Sequence, residues 1–116
     1  MTVKVLHNEN CSKSNAVLEY LDENGVSFEI INMIEEPLSV TELKTVLKKM
    51  NQNVFHIIRK NEKLYIDKFA GKDYSEDEWL TILSENPSLI QRPIIIKGSV
   101  AMLGRPIENV KFFIEK

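Results

Sequence analysis

The chain has 116 residues, 43% of them hydrophobic and 28% charged, which suits a single domain over 1–116 with a real hydrophobic core. Its formal net charge of -2 gives no basic excess of the kind that nucleic acid or an anionic membrane demands, so neither is expected as a partner. One cysteine excludes an intramolecular disulfide, and the sequence shows neither a secretory leader pattern nor an apolar run of membrane-span length, so a cytoplasmic protein with a reduced thiol is expected.

Val3 to Leu6 reads as a short buried strand, followed by a polar turn and a helix that should begin at or just before Cys11, with Asn10 as its N-cap. That turn delivers the only cysteine to a helix N-terminus. Unpaired backbone N–H groups and the positive end of the helix dipole there favour the thiolate and lower the thiol's pKa. The same amides offer a seat for a tetrahedral oxyanion. A lone cysteine is otherwise most simply a small buried hydrophobe. Asn10, Ser12, Lys13 and Ser14 are polar company, which suits an open, electropositive position rather than a core.

The helix carries Val17, Leu18 and Leu21 on one face, with Gly25 placed to end it. Val26, Phe28 and Ile30 alternate with Ser27 and Glu29, a strand pattern that completes a βαβ unit. After Glu35-Glu36-Pro37, the capping box Ser39 to Glu42 opens a second helix with Val40, Leu43, Val46, Leu47 and Met50 as its buried stripe. A loop at Asn51 to Asn53 precedes the run Val54-Phe55-His56-Ile57-Ile58, in which Phe55 is expected in the core and His56 to serve packing. Arg59 follows, then an expected loop around Lys60 to Lys72. A second capping box, Ser75 to Glu78, opens a helix whose inner face is Trp79, Leu80, Ile82 and Leu83 and which stops near Asn86-Pro87. Pro93 to Lys97, a Gly98-Ser99 turn and Val100 to Leu103 read as a hairpin, and Arg105-Pro106 opens a last helix docked through Ile107, Val110, Phe113 and Ile114.

The order βαβ, helices, ββα is that of an α/β, thioredoxin-like fold with a mixed four-stranded sheet and a helical insertion, approximately residues 38–88, between its two halves. In that fold the loop before the third strand carries a cis-proline that faces the cysteine. Pro93 stands at that place, so the Arg92-Pro93 bond is expected to be cis. An oxyanion site in a slightly acidic protein must be built locally, and only three arginines are available, Arg59, Arg92 and Arg105, each adjoining a strand or helix end.

Four blocks in sequence, His7-Asn8-x-x-Cys11-Ser12-Lys13-Ser14, Ile58-Arg59-Lys60-Asn61, Ile90-Gln91-Arg92-Pro93-Ile94 and Gly104-Arg105-Pro106, resemble the glutaredoxin-coupled arsenate reductase (ArsC-like) family over essentially the whole chain. The resemblance implies that Cys11 is the nucleophile and that Arg59, Arg92 and Arg105 hold the oxyanion and the covalent intermediate. It further implies that His7 and Ser14 help keep the thiolate ionised, with Ser12 and Lys13 beside the substrate. A histidine ending a strand is equally well explained by structure alone. The chain departs from the family pattern at Glu9, where proline is common, and at Asn15, where arginine is common. Both changes make the loop less positive.

The resemblance implies arsenate, or a similar oxyanion, as substrate. With no second cysteine in the chain, glutathione or another small thiol must act as co-substrate, with glutaredoxin as the regenerating partner. No bound cofactor and no metal are expected, since one cysteine and two distant histidines supply no ligand cluster, and the protein is expected to be a monomer. Two other readings remain open at this stage. A glutaredoxin-like thiol transferase needs the thiolate and the cis-proline but has no evident use for three arginines. A non-enzymatic regulator resembling the Spx type, which binds RNA polymerase, often carries Cys-x-x-Cys at this turn, where Ser14 here forbids a disulfide switch.

Overall fold

The computed structural model describes residues 3–7, 12–104 and 107–114, and within these all side chains except those of 12–14 and 112. The chain divides into two compact units, Met1–Glu36 with Arg92–Lys116, and Pro37–Gln91.

The first unit holds the sheet. Its strands are β1 (Val3–His7), β2 (Phe28–Asn32), β3 (Ile94–Lys97) and β4 (Val100–Leu103), in the order β2-β1-β3-β4. β1 runs parallel to β2 and antiparallel to β3, and β3 antiparallel to β4, so the sheet is mixed. The parallel pair needs a crossover, which α1 (Ser12–Glu23) supplies. α1 ends in a Schellman motif: the Val26 N–H donates to Leu21 O at 3.0 Å, the Gly25 N–H donates to Asp22 O at 3.1 Å, and Gly25 takes φ 67°. Glycine suits that position because the left-handed region carries no Cβ penalty for it. The two-residue Gly98-Ser99 turn joins β3 to β4 with Lys97 opposite Val100.

Alternation along β1 sends Val3 and Val5 to one face of the sheet, where Val17 and Leu21 of α1, Ile95, and Val110 and Phe113 of α5 (Glu108–Ile114) join them in one cluster. Each fully buried aliphatic side chain there contributes about 1.5–3 kcal/mol relative to exposure. Leu6, Ile94, Ile96 and Ala101 are buried as well. The start of the last helix at Arg105-Pro106, and that of the first at Asn10 and Cys11, lie outside the described residues.

The second unit is helical. α2 (Val40–Met50) opens with the expected capping box, in which Ser39 Oγ accepts from the Glu42 N–H and Glu42 Oε1 accepts from the Ser39 N–H, both at 3.1 Å. Leu43, Val46 and Leu47 are its buried stripe. α4 (Glu76–Glu85) opens with the second box, Ser75 and Glu78, and buries Trp79, Leu80 and Leu83. No described helix is long and apolar enough to cross a membrane.

Two local expectations are corrected. Phe55 is 47% exposed and His56 is also exposed, because Val54–Ile57 is a 3-10 helix whose i, i+3 spacing turns Val54 and Ile57 inward instead. The segment expected as a loop contains α3 (Lys63–Lys68), which buries no residue of its own. It is held through aromatic contacts: Tyr65 stacks on Trp79 at 6.0 Å, while Phe69, just past the helix, and Tyr74 approach the same indole at 5.8 and 5.4 Å.

Candidate active site

One row of residues across the sheet organises the candidate site. His7, the last residue of β1, pairs with Asn32 of β2. On the other side Leu6 faces Ile94, so one further step in the same register sets Pro93 beside His7. Beyond the Ile94–Leu103 pair, the Gly104 N–H donates to Pro93 O at 2.8 Å, which extends the β3–β4 ladder by one rung. Asn32, His7, Pro93 and Gly104 therefore stand side by side at one end of the sheet.

Each member of the row is fixed by its surroundings. His7 is buried, at 5% exposure, and its carbonyl accepts from the Met33 N–H at 3.1 Å. The Arg92-Pro93 bond is cis, as the sequence predicts, and Pro93 is buried. Gly104 faces the proline so closely that a Cβ there would lie 2.8 Å from Pro93 Cγ, 3.2 Å from Ile95 Cδ1 and 3.3 Å from Val17 Cγ2. Only a residue without a side chain fits without displacement.

The sequence neighbours of the row are the residues singled out above. Arg92 precedes Pro93 and is itself buried, at 8% exposure. Arg105 follows Gly104 in the sequence, and Cys11 comes four residues after His7. Cys11 and Arg105 lie outside the described residues, as do the side chains of Ser12, Lys13 and Ser14, whose backbone forms the first turn of α1.

Arg59 belongs to the second unit, where it is tied down at both backbone and side chain. Its N–H donates to Leu89 O at 2.7 Å, and its carbonyl accepts from the Glu62 N–H at 3.2 Å, closing the turn 59–62. Ile58 forms an antiparallel bridge with Ile90. The Arg59 guanidinium donates through Nη1 to Glu62 Oε2 at 3.0 Å and to Ser88 O at 3.3 Å. Glu62 and Gly104 are thus residues that the sequence reading left without a role. The Arg59-x-x-Glu62 spacing was the signal available for the first, and glycine immediately before Arg105-Pro106 for the second. Among the described residues no group of three His, Cys, Asp or Glu side chains is placed to hold a metal ion.

Residues 6–113 match the model of the ArsC family. An arsenate reductase of Haemophilus influenzae is 36% identical to the chain over 112 residues, covering 95% of this chain and 97% of that one. The Escherichia coli protein YfgD, described as uncharacterized, is 36% identical over 110 residues, 93% of this chain and 92% of that one. A solved structure of an arsenate reductase from Vibrio cholerae superposes with a TM-score of 0.90 at 35% identity, over 97% of each chain. The sheet order and the helices between the two halves are accordingly those of a thioredoxin-like fold, and the chain belongs to the ArsC family.

Proposed function

We propose that the protein is an arsenate reductase in which Cys11 is the nucleophile. The Cys11 sulfur attacks arsenic, an S–As bond forms, and one arsenate oxygen leaves as water after protonation. Arg59, Arg92 and Arg105 hold the remaining oxygens, since planar guanidinium forks pair bidentately with oxyanions and offset the charge that builds up during displacement. Ser12 and Lys13 lie beside the anion, and His7 and Ser14 favour the ionised thiol.

Reduction of arsenic(V) to arsenic(III) takes two electrons, which two thiols provide by becoming a disulfide. With one cysteine in the chain, those thiols come from outside: glutathione first, then glutaredoxin, with arsenite released and Cys11 regenerated. The protein binds no resident cofactor in this reading and works as a monomer in the cytoplasm, where the thiol pool is reduced.

The observation that carries the reading is the row His7, Pro93, Gly104, in which the Gly104 N–H donates to Pro93 O at 2.8 Å. It supports a site at one end of the sheet, because stepping off the row along the sequence leads toward Cys11, Arg92 and Arg105. Relatives named arsenate reductase at 33–36% identity support the substrate.

The test is glutathione- and glutaredoxin-dependent arsenate reduction by the wild type and by Cys11→Ser. Activity in the wild type and its loss in the variant are expected; a Cys11→Ser protein that still reduces arsenate would end the reading. A parallel arm with a glutathionylated peptide separates arsenate reduction from general thiol transfer.

A further inference from the structure

Glu62 occupies the N-cap position of α3, yet its side chain makes no capping hydrogen bond. Ser, Thr, Asp and Asn are the residues that serve there, because a short side chain reaches the free N–H groups of the first turn. The N-caps of the other two α-helices of the same unit, Ser39 and Ser75, follow that rule with complete capping boxes. Glu62 spends its carboxylate on Arg59 instead, at 3.0 Å, with the two side chains 30% and 18% exposed.

The guanidinium carries five N–H groups, two of them on Nη1. Nη1 donates to Glu62 Oε2 and to Ser88 O. On the opposite edge of the fork, which Nε shares with the adjacent hydrogen of Nη2, Nε is buried and has no partner among the described residues. A buried charged donor without an acceptor is costly and calls for an explanation. That edge has the spacing of two oxygens on one tetrahedral or trigonal anion.

We propose that Glu62 is a positioning residue: it locks Arg59 through Nη1 so that the Nε–Nη2 edge is held ready for two oxygens of the oxyanion. The inference rests on the proposed role of Arg59 in arsenate binding. The backbone assists, since the turn that brings Glu62 to Arg59 is closed by the Glu62 N–H to Arg59 O bond at 3.2 Å. The α3 cap is given up for this orientation, which is the pattern expected where a local rule is broken for function.

The test uses Glu62→Ser and Glu62→Gln in the full chain. Serine restores an α3 cap but removes the acceptor for Nη1, whereas glutamine keeps a carbonyl oxygen in place and removes the charge. The readouts are the Arg59 Nε–H resonance in a nitrogen-15 correlation spectrum titrated with arsenate and separately with sulfate, the KM for arsenate, and the thermal midpoint. The wild type should show a saturable shift of that resonance. Glu62→Ser should bind about tenfold more weakly while melting no lower than wild type, and Glu62→Gln should recover affinity to within about threefold. Wild-type affinity in Glu62→Ser, or a loss in Glu62→Gln as large as in Glu62→Ser, would overturn the proposal. Because the resonance shift needs no turnover, it distinguishes the two ideas: a saturable shift without arsenate reduction would leave Glu62 positioning intact and sink the reductase reading, whereas no shift in an active enzyme would do the reverse.

Discussion

Replacing Gly104 with alanine tests how tightly the row at the end of the sheet is packed. The new methyl carbon would sit 2.8 Å from Pro93 Cγ, a distance real Cβ atoms essentially never show, and 3.2 and 3.3 Å from Ile95 Cδ1 and Val17 Cγ2. The two aliphatic tips can move by a few tenths of an ångström, but the proline carbon belongs to a ring and cannot rotate away. Either the ring or the Gly104 backbone must shift, and the 2.8 Å bond from the Gly104 N–H to Pro93 O is strained with it. Overpacking of this kind costs about 1–3 kcal/mol, against about 0.4–1 kcal/mol gained by restricting the unfolded chain. The expected net loss is about 1–2 kcal/mol, read as a lower urea midpoint at unchanged slope and a thermal midpoint lower by about 5–10 °C. Trimming a neighbour should relieve part of it: in Val17→Ala/Gly104→Ala the losses should fall short of additive by about 0.5–1 kcal/mol. A Gly104→Ala protein as stable as wild type would refute the close approach of β4's end to Pro93, and with it the argument that the row needs glycine.

Two further outcomes follow from the second unit. The Ser75 N–H donates to Glu78 Oε1 at 3.0 Å and holds the Glu78 carboxyl below its ordinary range, helped by the Ser75 hydroxyl. Folding therefore favours the ionised form, so this contribution is complete above the unfolded carboxylate pKa and is lost as pH falls through the lower folded value. Glu78→Gln should flatten that part of the stability profile measured by urea unfolding across the acid range, and an unchanged slope there would count against the box. Leu43, fully buried in α2, should cost about 2–5 kcal/mol when cut to alanine; a loss below about 1 kcal/mol in the same unfolding assay would mean that the stripe is not packed.

What was legible in the sequence was whatever is decided locally. Both capping boxes and the Gly25 stop are exchanges between a side chain or a backbone and its near neighbours, so Ser39, Ser75 and Gly25 announced them. Pro93 was legible because its place before β3 follows from the order of elements. The features missed depend on distant parts of the chain. α3 is six residues long and is kept by Tyr65 against Trp79, a contact that no window of periodicity spans. Alternation marked β2 as a strand, but only strand order shows that it lies at an edge, where Ile30 is 48% exposed. Val54–Ile57 carries an apolar run that strand and 3-10 spacing read differently, and burial of Val54 and Ile57 with exposure of Phe55 decides it. Arg59 and Arg92 were picked out by residue type, whereas Glu62 looked like one more charge in a loop until its carboxylate was found at 3.0 Å from Nη1.

The distribution of the basic residues gives that choice of arginine a physical basis. The described lysines are exposed or half-buried, as the ammonium's strong hydration demands, whereas Arg92 is 8% exposed and the Arg59 side chain 18%. Burying a guanidinium costs free energy unless its donors are met, so a protein that does this with arginine while leaving its lysines wet is using the shape of the group and not the charge alone. Arg59→Lys separates the two. The ammonium keeps the charge and can donate to Glu62 and to Ser88 O, the two acceptors now on Nη1, so the fold should persist with a thermal midpoint close to wild type. It has no second edge to offer two oxygens at once. The KM for arsenate should therefore rise by about tenfold or more, and the binding of sulfate should weaken in parallel. A lysine variant that binds both anions as the wild type does would mean that Arg59 contributes a point charge, and that the Nε–Nη2 edge has no part in recognition.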